Sequence, residues 1–147
     1  MPVLTSDADI SALLGRVRRI AVVGASDNPD RASYRVFGFL RDQGYDVLPV
    51  NPVKDEVQGV ACVPDLAAAA AHWEAQGKGG IDLVDVFRRP DVVEPVVADA
   101  VAAGAKAIWF QLGVVNEAAI AAADAAGLDV VVDRCPAIEI PRLGLRR

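Results

Sequence analysis

The chain has 147 residues, with 15 Lys and Arg against 20 Asp and Glu, and 53% of its residues are hydrophobic. That length suits one compact domain with a sizeable core, and the apolar content lies far from that of disordered chains. A formal charge of -5 without a run of Lys or Arg leaves no footprint for nucleic acid or an anionic membrane surface.

No apolar run approaches the roughly 20 residues needed to span a bilayer. Met1 to Asp7 lack a basic stretch followed by an apolar one, so a cytoplasmic protein is expected. Two isolated cysteines, Cys62 and Cys135, and a single histidine, His72, fit a reducing compartment. They offer no paired spacing for a metal, and none is expected.

A leading helix is expected over Ser6 to Leu14, capped by Ser6 or Asp7. Five short apolar runs then read as strands: Arg19 to Gly24, Asp46 to Asn51, Ile81 to Phe87, Ala107 to Phe110 and Asp129 to Asp133. Helical spacing fills the intervals, over Ser33 to Gln43, Leu66 to Gln76, Asp91 to Ala103 and Asn116 to Ala126. Each of these stretches is followed by a stop signal, at Gly44, Gly77, Gly104 and Gly127. A short extra strand is expected around Gly59 to Cys62, and Gly38 marks a close approach of helix and strand.

Strands alternating with helices of this length are joined by right-handed crossovers into a parallel sheet covered on both faces. The fold class is therefore α/β, a doubly wound and mostly parallel sheet in a single domain with its core over about residues 19–140.

In such a sheet the ligand crevice lies beyond the carboxyl ends of the strands. The residues there are Gly24-Ala25-Ser26, Asn51-Pro52-Val53-Lys54, Phe87-Arg88-Arg89-Pro90, Gln111-Leu112-Gly113 and Arg134-Cys135-Pro136. Polar loops are common, but the gathering of Lys54, Arg88, Arg89 and Arg134 at one end of an acidic protein points to an anionic ligand. The first loop leads into a helix N-terminus, where backbone N-H groups favour a phosphate, and Ser26, Ser33 and Arg31 add donors. It is not a GxGxxG, since Ser26 takes the second glycine position.

An NAD site needs a carboxylate at the end of the second strand to hold the ribose hydroxyls. Here that end is Asn51-Pro52 followed by Lys54, whereas Asp46 lies at the opposite end of the strand. A ribose carrying a phosphate is favoured, as in NADP or in coenzyme A with its 3′-phosphate.

Taken in order, Val22-Val23-Gly24-Ala25-Ser26, Asn51-Pro52-Val53-Lys54, Asp85-Val86-Phe87-Arg88, Ile108-Trp109-Phe110-Gln111-Leu112-Gly113 and Arg134-Cys135-Pro136 resemble the small stand-alone CoA-binding domain family. That family is related to the N-terminal domain of the succinyl-CoA synthetase alpha subunit. The resemblance spans about Ile20 to Ile140. It implies that Gly24, Ala25, Ser26, Arg31 and Ser33 bind the pyrophosphate, that Pro52 packs near the adenine, and that Lys54 meets a phosphate. It further implies that Phe87 and Arg88 wall the nucleotide, and that Gln111 and Gly113 line the pantetheine side. Asn51, at the strand end, belongs to the same set. Arg134-Cys135-Pro136 resembles an Asn-Cys-Pro segment of the synthetase subunit with Arg in place of Asn, so no role of that amide carries over.

The synthetase relies on a phosphorylated histidine from a second domain, and His72, in the Ala-rich helix, lies away from the strand ends. The expected function is binding of CoA or an acyl-CoA by a carrier, sensor or regulator without a catalytic set, its protein partner unknown. An NADP-binding oxidoreductase or redox sensor is the alternative. Cys135 falls where the CoA thiol would lie; an inert, partly buried thiol held by Pro136 is expected, and a thiolate favoured by Arg134 beside it is the alternative. Glu139 is expected to be a solvated rim carboxylate, Cys62 and Trp109 to be core, and Trp73 to pack down or meet another subunit. At a mean hydropathy of +0.30 a symmetric homodimer is the default.

Overall fold

The computed structural model describes residues 3–146. In chain order the elements are α1 (Asp7–Arg16), β1 (Arg19–Val23), α2 (Ala32–Asp42), β2 (Asp46–Val50), β3 (Glu56–Val57), β4 (Val60–Ala61) and α3 (Leu66–Ala75). They continue with β5 (Leu83–Val86), a 3-10 turn (Pro90–Val92), α4 (Glu94–Ala102), β6 (Ala107–Phe110), α5 (Glu117–Ala125), β7 (Asp129–Val132) and α6 (Pro136–Arg142).

Five strands form one parallel sheet in the order β2-β1-β5-β6-β7. The strands are apolar almost without interruption because both faces are covered. One face carries a cluster built on Trp73, Val84, Val86, Ile108 and Phe110, beneath α3, α4 and α5. The other carries Phe37, Leu40, Trp109, Leu83 and Ile140, beneath α1, α2 and α6. Fully buried side chains of this size contribute roughly 1.5–3 kcal/mol each.

The two tryptophans keep their indole N-H groups bonded inside this core, as burial requires. Trp109 donates to the Arg134 carbonyl at 2.7 Å. Trp73 packs down and donates to the Asp46 carboxylate at 3.0 Å, which also accepts from Lys78 at 3.0 Å. Asp46 is thereby committed at the amino end of β2.

Several details differ from the sequence expectation. The stretch from Asp91 breaks into a 3-10 turn and then α4, since Pro90 and Pro95 each start a helical segment better than they continue one. The extra strand β4 does not join the main sheet. It pairs antiparallel with β3 in a small hairpin, and Cys62, just beyond it, is half-buried. Gly38 faces that hairpin: a Cβ there would lie 2.9 Å from Gln58 Oε1, so the close approach is to a turn side chain and not to a strand.

The chain steps from β1 outward to β2 and then returns to β5 on the other side of β1. The sheet order therefore reverses between β1 and β5, and the crevice at their carboxyl ends is the position where such sheets take ligands.

Candidate ligand-binding site

A cavity of about 980 Å³ opens at that reversal, at the upper end of the range for small-molecule sites. Gly24 directly follows β1 and stands against Phe87, which directly follows β5. Its φ of +81° lies in the left-handed region, and a Cβ on it would fall 2.1 Å from the Phe87 carbonyl oxygen. Only glycine allows the two strand ends to come this close.

The loop after β1 is held by short local bonds. Asn28 N donates to Ser26 Oγ at 3.0 Å, and Asp30 N donates to Asn28 Oδ1 at 3.0 Å. Asn51 ties this loop to the end of β2. Its amide donates to the Ala25 carbonyl at 2.8 Å, while its Oδ1 accepts from Val53 N and Lys54 N at 2.8 and 3.1 Å. Asn51 thus shapes the turn that carries Lys54. The N-cap of α2 is Arg31, which makes no side-chain cap, so the first-turn N-H groups of Ala32 and the buried Ser33 stand uncapped at the cavity wall.

Five cations line the cavity, Arg31, Arg35, Lys54, Arg88 and Arg89, and among the described residues no carboxylate does. A protein with a formal charge of -5 has thus gathered a third of its 15 Lys and Arg around one crevice. Lys54 meets Asp27 at 3.5 Å and Arg89 meets Asp91 at 3.4 Å, in pairs exposed enough to exchange for an anionic ligand.

Across β5 the lining changes character. Gln111, Gly113, Val114, Cys135 and Ile138 form the wall beyond β6 and β7. Gly113 N donates to Asp133 Oδ1 at 2.7 Å, which links the two loops. Behind Gln111 lies Asp85, on β5 and 0% exposed, accepting from Gln111 Nε2 at 2.7 Å. Its second oxygen, Oδ2, has no hydrogen-bond partner. Burial pushes the Asp85 carboxyl up to about 7, against the lowering effect of the Gln111 bond. Sequence reasoning counted Asp85 among the segments of the family resemblance but gave it no role; the available signal was a second acid in the apolar run Ile81 to Phe87.

The expected site residues Gly24, Ala25, Ser26, Arg31, Ser33, Asn51, Lys54, Phe87, Arg88, Gln111, Gly113 and Cys135 all line this one cavity. Pro52 is exposed and lies outside its wall. Arg35, Val36, Phe39, Val114, Ala137 and Ile138 line it without having been anticipated.

Two expectations for the last loop are corrected, and of the two readings of Cys135 the inert thiol is the one that fits. Arg134 does not join the cavity cations; it donates to Glu139 at 2.8 Å and to the Thr5 carbonyl at 3.2 Å. Glu139 is not solvated: it is 6% exposed and also accepts from Arg142 at 2.8 Å, and Arg142 reaches Asp7 on α1 at 2.7 Å. With Arg134 so engaged, Cys135 gains no thiolate character. Burial raises its pKa, and the nearby carboxylates of Asp85 and Glu139 raise it further. His72 is exposed on α3, bonded to Gln76 at 3.0 Å and remote from the cavity wall.

A doubly wound parallel sheet with a cation-lined crevice at its reversal point defines a binding domain of the Rossmann-like class. Residues 18–141 match the family model described as CoA binding domain, and the chain belongs to that family. YneT of Bacillus subtilis (strain 168) is 40% identical over 130 residues, covering 88% of this chain and 90% of that protein. The structure described as PH1109 protein redesigned for binding superposes with a TM-score of 0.87 at 36% identity, over 99% of this chain and 96% of that one. The dinucleotide-forming acetyl-coenzyme A synthetase 1 of Ca. Korarchaeum cryptofilum gives a TM-score of 0.62 at 28% identity, over 76% of this chain and 25% of that chain. The present fold thus corresponds to about a quarter of that synthetase chain. Among the described residues no helix is long and apolar enough to cross a membrane.

Proposed function

We propose that this protein binds coenzyme A or an acyl-CoA in the crevice between β1 and β5. The supporting observation is the cavity lined by five cations and no carboxylate, at the point where the sheet order reverses. Family membership supports the same ligand. In this reading the pyrophosphate sits at the N-terminus of α2, with Arg31, Ser26 and Ser33 as donors. Lys54 on the Asn51 turn meets the 3′-phosphate, Phe87 and Arg88 wall the nucleotide, and the pantetheine arm runs over Gln111 and Gly113 toward Cys135.

The role proposed is binding, as a carrier, sensor or regulator. The cavity wall carries the hydroxyls of Ser26 and Ser33 and the thiol of Cys135, but among the described residues it carries no histidine or carboxylate to act as a base.

Calorimetry with CoA, NADP and NAD tests the reading. CoA is expected to bind with the highest affinity of the three. Binding of NADP without binding of CoA would overturn the assignment and favour a redox protein on the same fold.

A further inference from the structure

The cavity has two ends of opposite character. Its cations stand on the loops after β1, β2 and β5 and on the first turns of α2. Past Gln111 the wall is made by Leu112, Val114, Ala137 and Ile138. Two of these are large aliphatic side chains left open to solvent, Leu112 at 56% and Ile138 at 52% exposure. Large exposed apolar groups in the wall of one pocket gain when a ligand covers them.

Among the described residues no cation lines this end of the cavity. Asp85 lies buried behind Gln111, Asp133 accepts from Gly113, and Glu139, on α6, is already paired with Arg134 and Arg142. The one cation on the β7 loop, Arg134, is held by Glu139 and the Thr5 carbonyl and does not line the cavity. A carboxylate brought here would lose water and gain no partner, which is costly.

Resting on the CoA reading above, we infer that the preferred ligand is a CoA thioester with an uncharged aliphatic acyl group, seated between Leu112 and Ile138, and not a dicarboxylic thioester. Gln111 marks the boundary: it lines the cavity while Asp85 takes one of its amide hydrogens.

The test is calorimetric titration of the full chain at pH 7 with CoA, butyryl-CoA and succinyl-CoA. Each methylene fully buried is worth about fourfold in affinity. Butyryl-CoA is therefore expected to bind at least about fivefold tighter than CoA, allowing for incomplete burial. Succinyl-CoA, the same four-carbon chain with a carboxylate in place of the terminal methyl, is expected to bind no tighter than CoA.

Leu112 and Ile138 are exposed, so the Leu112→Ser, Ile138→Ser double variant is expected to fold and to bind CoA and butyryl-CoA with equal affinity, the butyryl gain being lost. Ile138→Lys is expected to shift the preference toward succinyl-CoA. Equal affinity for CoA and butyryl-CoA, or tighter binding of succinyl-CoA by the unaltered chain, overturns this inference and leaves the CoA site standing. Absence of binding by all three ligands overturns both.

Discussion

The side-chain amide of Gln111 donates to the Asp85 carboxylate at 2.7 Å, joining a residue that lines the cavity to one that lies wholly behind it. The other Asp85 oxygen is buried without a partner. An ionised carboxylate there would be poorly compensated, which is why burial raises its pKa to about 7 from the ordinary 3.8.

This raised value makes stability depend on pH in a stated direction. Below about pH 4 Asp85 is protonated in both the folded and unfolded chain. As pH rises toward 7 the unfolded chain ionises first, so the folded state loses ground by at most about 1.4 kcal/mol per pH unit, and the loss levels off above 7. In urea melts the stability of Asp85→Asn relative to the unaltered protein is expected to improve steadily between pH 4 and pH 7. A difference that stays constant over that range contradicts the account.

Glu139 titrates in the opposite sense. Hydrogen bonds from Arg142, and then from Arg134, hold its carboxyl below the usual value of 4.5 despite burial. Its contribution is therefore present above about pH 4.5 and lost as pH falls through the lowered folded value. Glu139→Gln is expected to cost about 1–3 kcal/mol at neutral pH, with the penalty shrinking in acid. Denaturant midpoints at pH 7 and pH 3.5 check this.

Gly24→Ala combines a left-handed backbone with a clash at the Phe87 carbonyl. It is expected to destabilise by at least about 2 kcal/mol and to abolish ligand binding, because the strand ends that frame the cavity must part. A variant with unchanged melting temperature and unchanged affinity would show that the close approach does not matter.

Both thiols are held protonated by burial, and Cys62 is the more exposed of the two. Iodoacetamide at neutral pH is expected to modify Cys62 first. CoA is expected to slow modification of Cys135, which lines the cavity, and to leave Cys62 unaffected. The reverse order, or protection of Cys62 alone, speaks against the placement of the thiol end.

The main sheet was legible because strands covered on both faces appear as unbroken apolar runs, and the glycines after the helices mark their ends. Lys54 and Arg88 were legible as residues of one cavity wall because strand ends in such a sheet converge on one crevice. Helix α6 was not, since Pro136 and Pro141 in a seven-residue segment read as breakers. Pro136 instead occupies the first turn, where no N-H is needed, and Pro141 forfeits only a bond near the end.

Asp82 and Asp85 look alike in the sequence. The first lies at the amino end of β5, where it accepts from Arg18 N and Arg19 N, and the second, inside the strand, faces the buried side beneath α2 and α6. Arg134 was misplaced because its partner, Glu139, becomes a neighbour only through the helix that went unread.

The central claim is that the Asn51 turn presents Lys54 to the 3′-phosphate of CoA, and a four-way titration tests it most directly. CoA and dephospho-CoA are titrated against the unaltered protein and against Lys54→Ala. The unaltered protein is expected to bind CoA roughly five- to tenfold tighter than dephospho-CoA, and that difference is expected to vanish in Lys54→Ala. Equal affinities for the two ligands in the unaltered protein, or a difference that survives removal of Lys54, would contradict it.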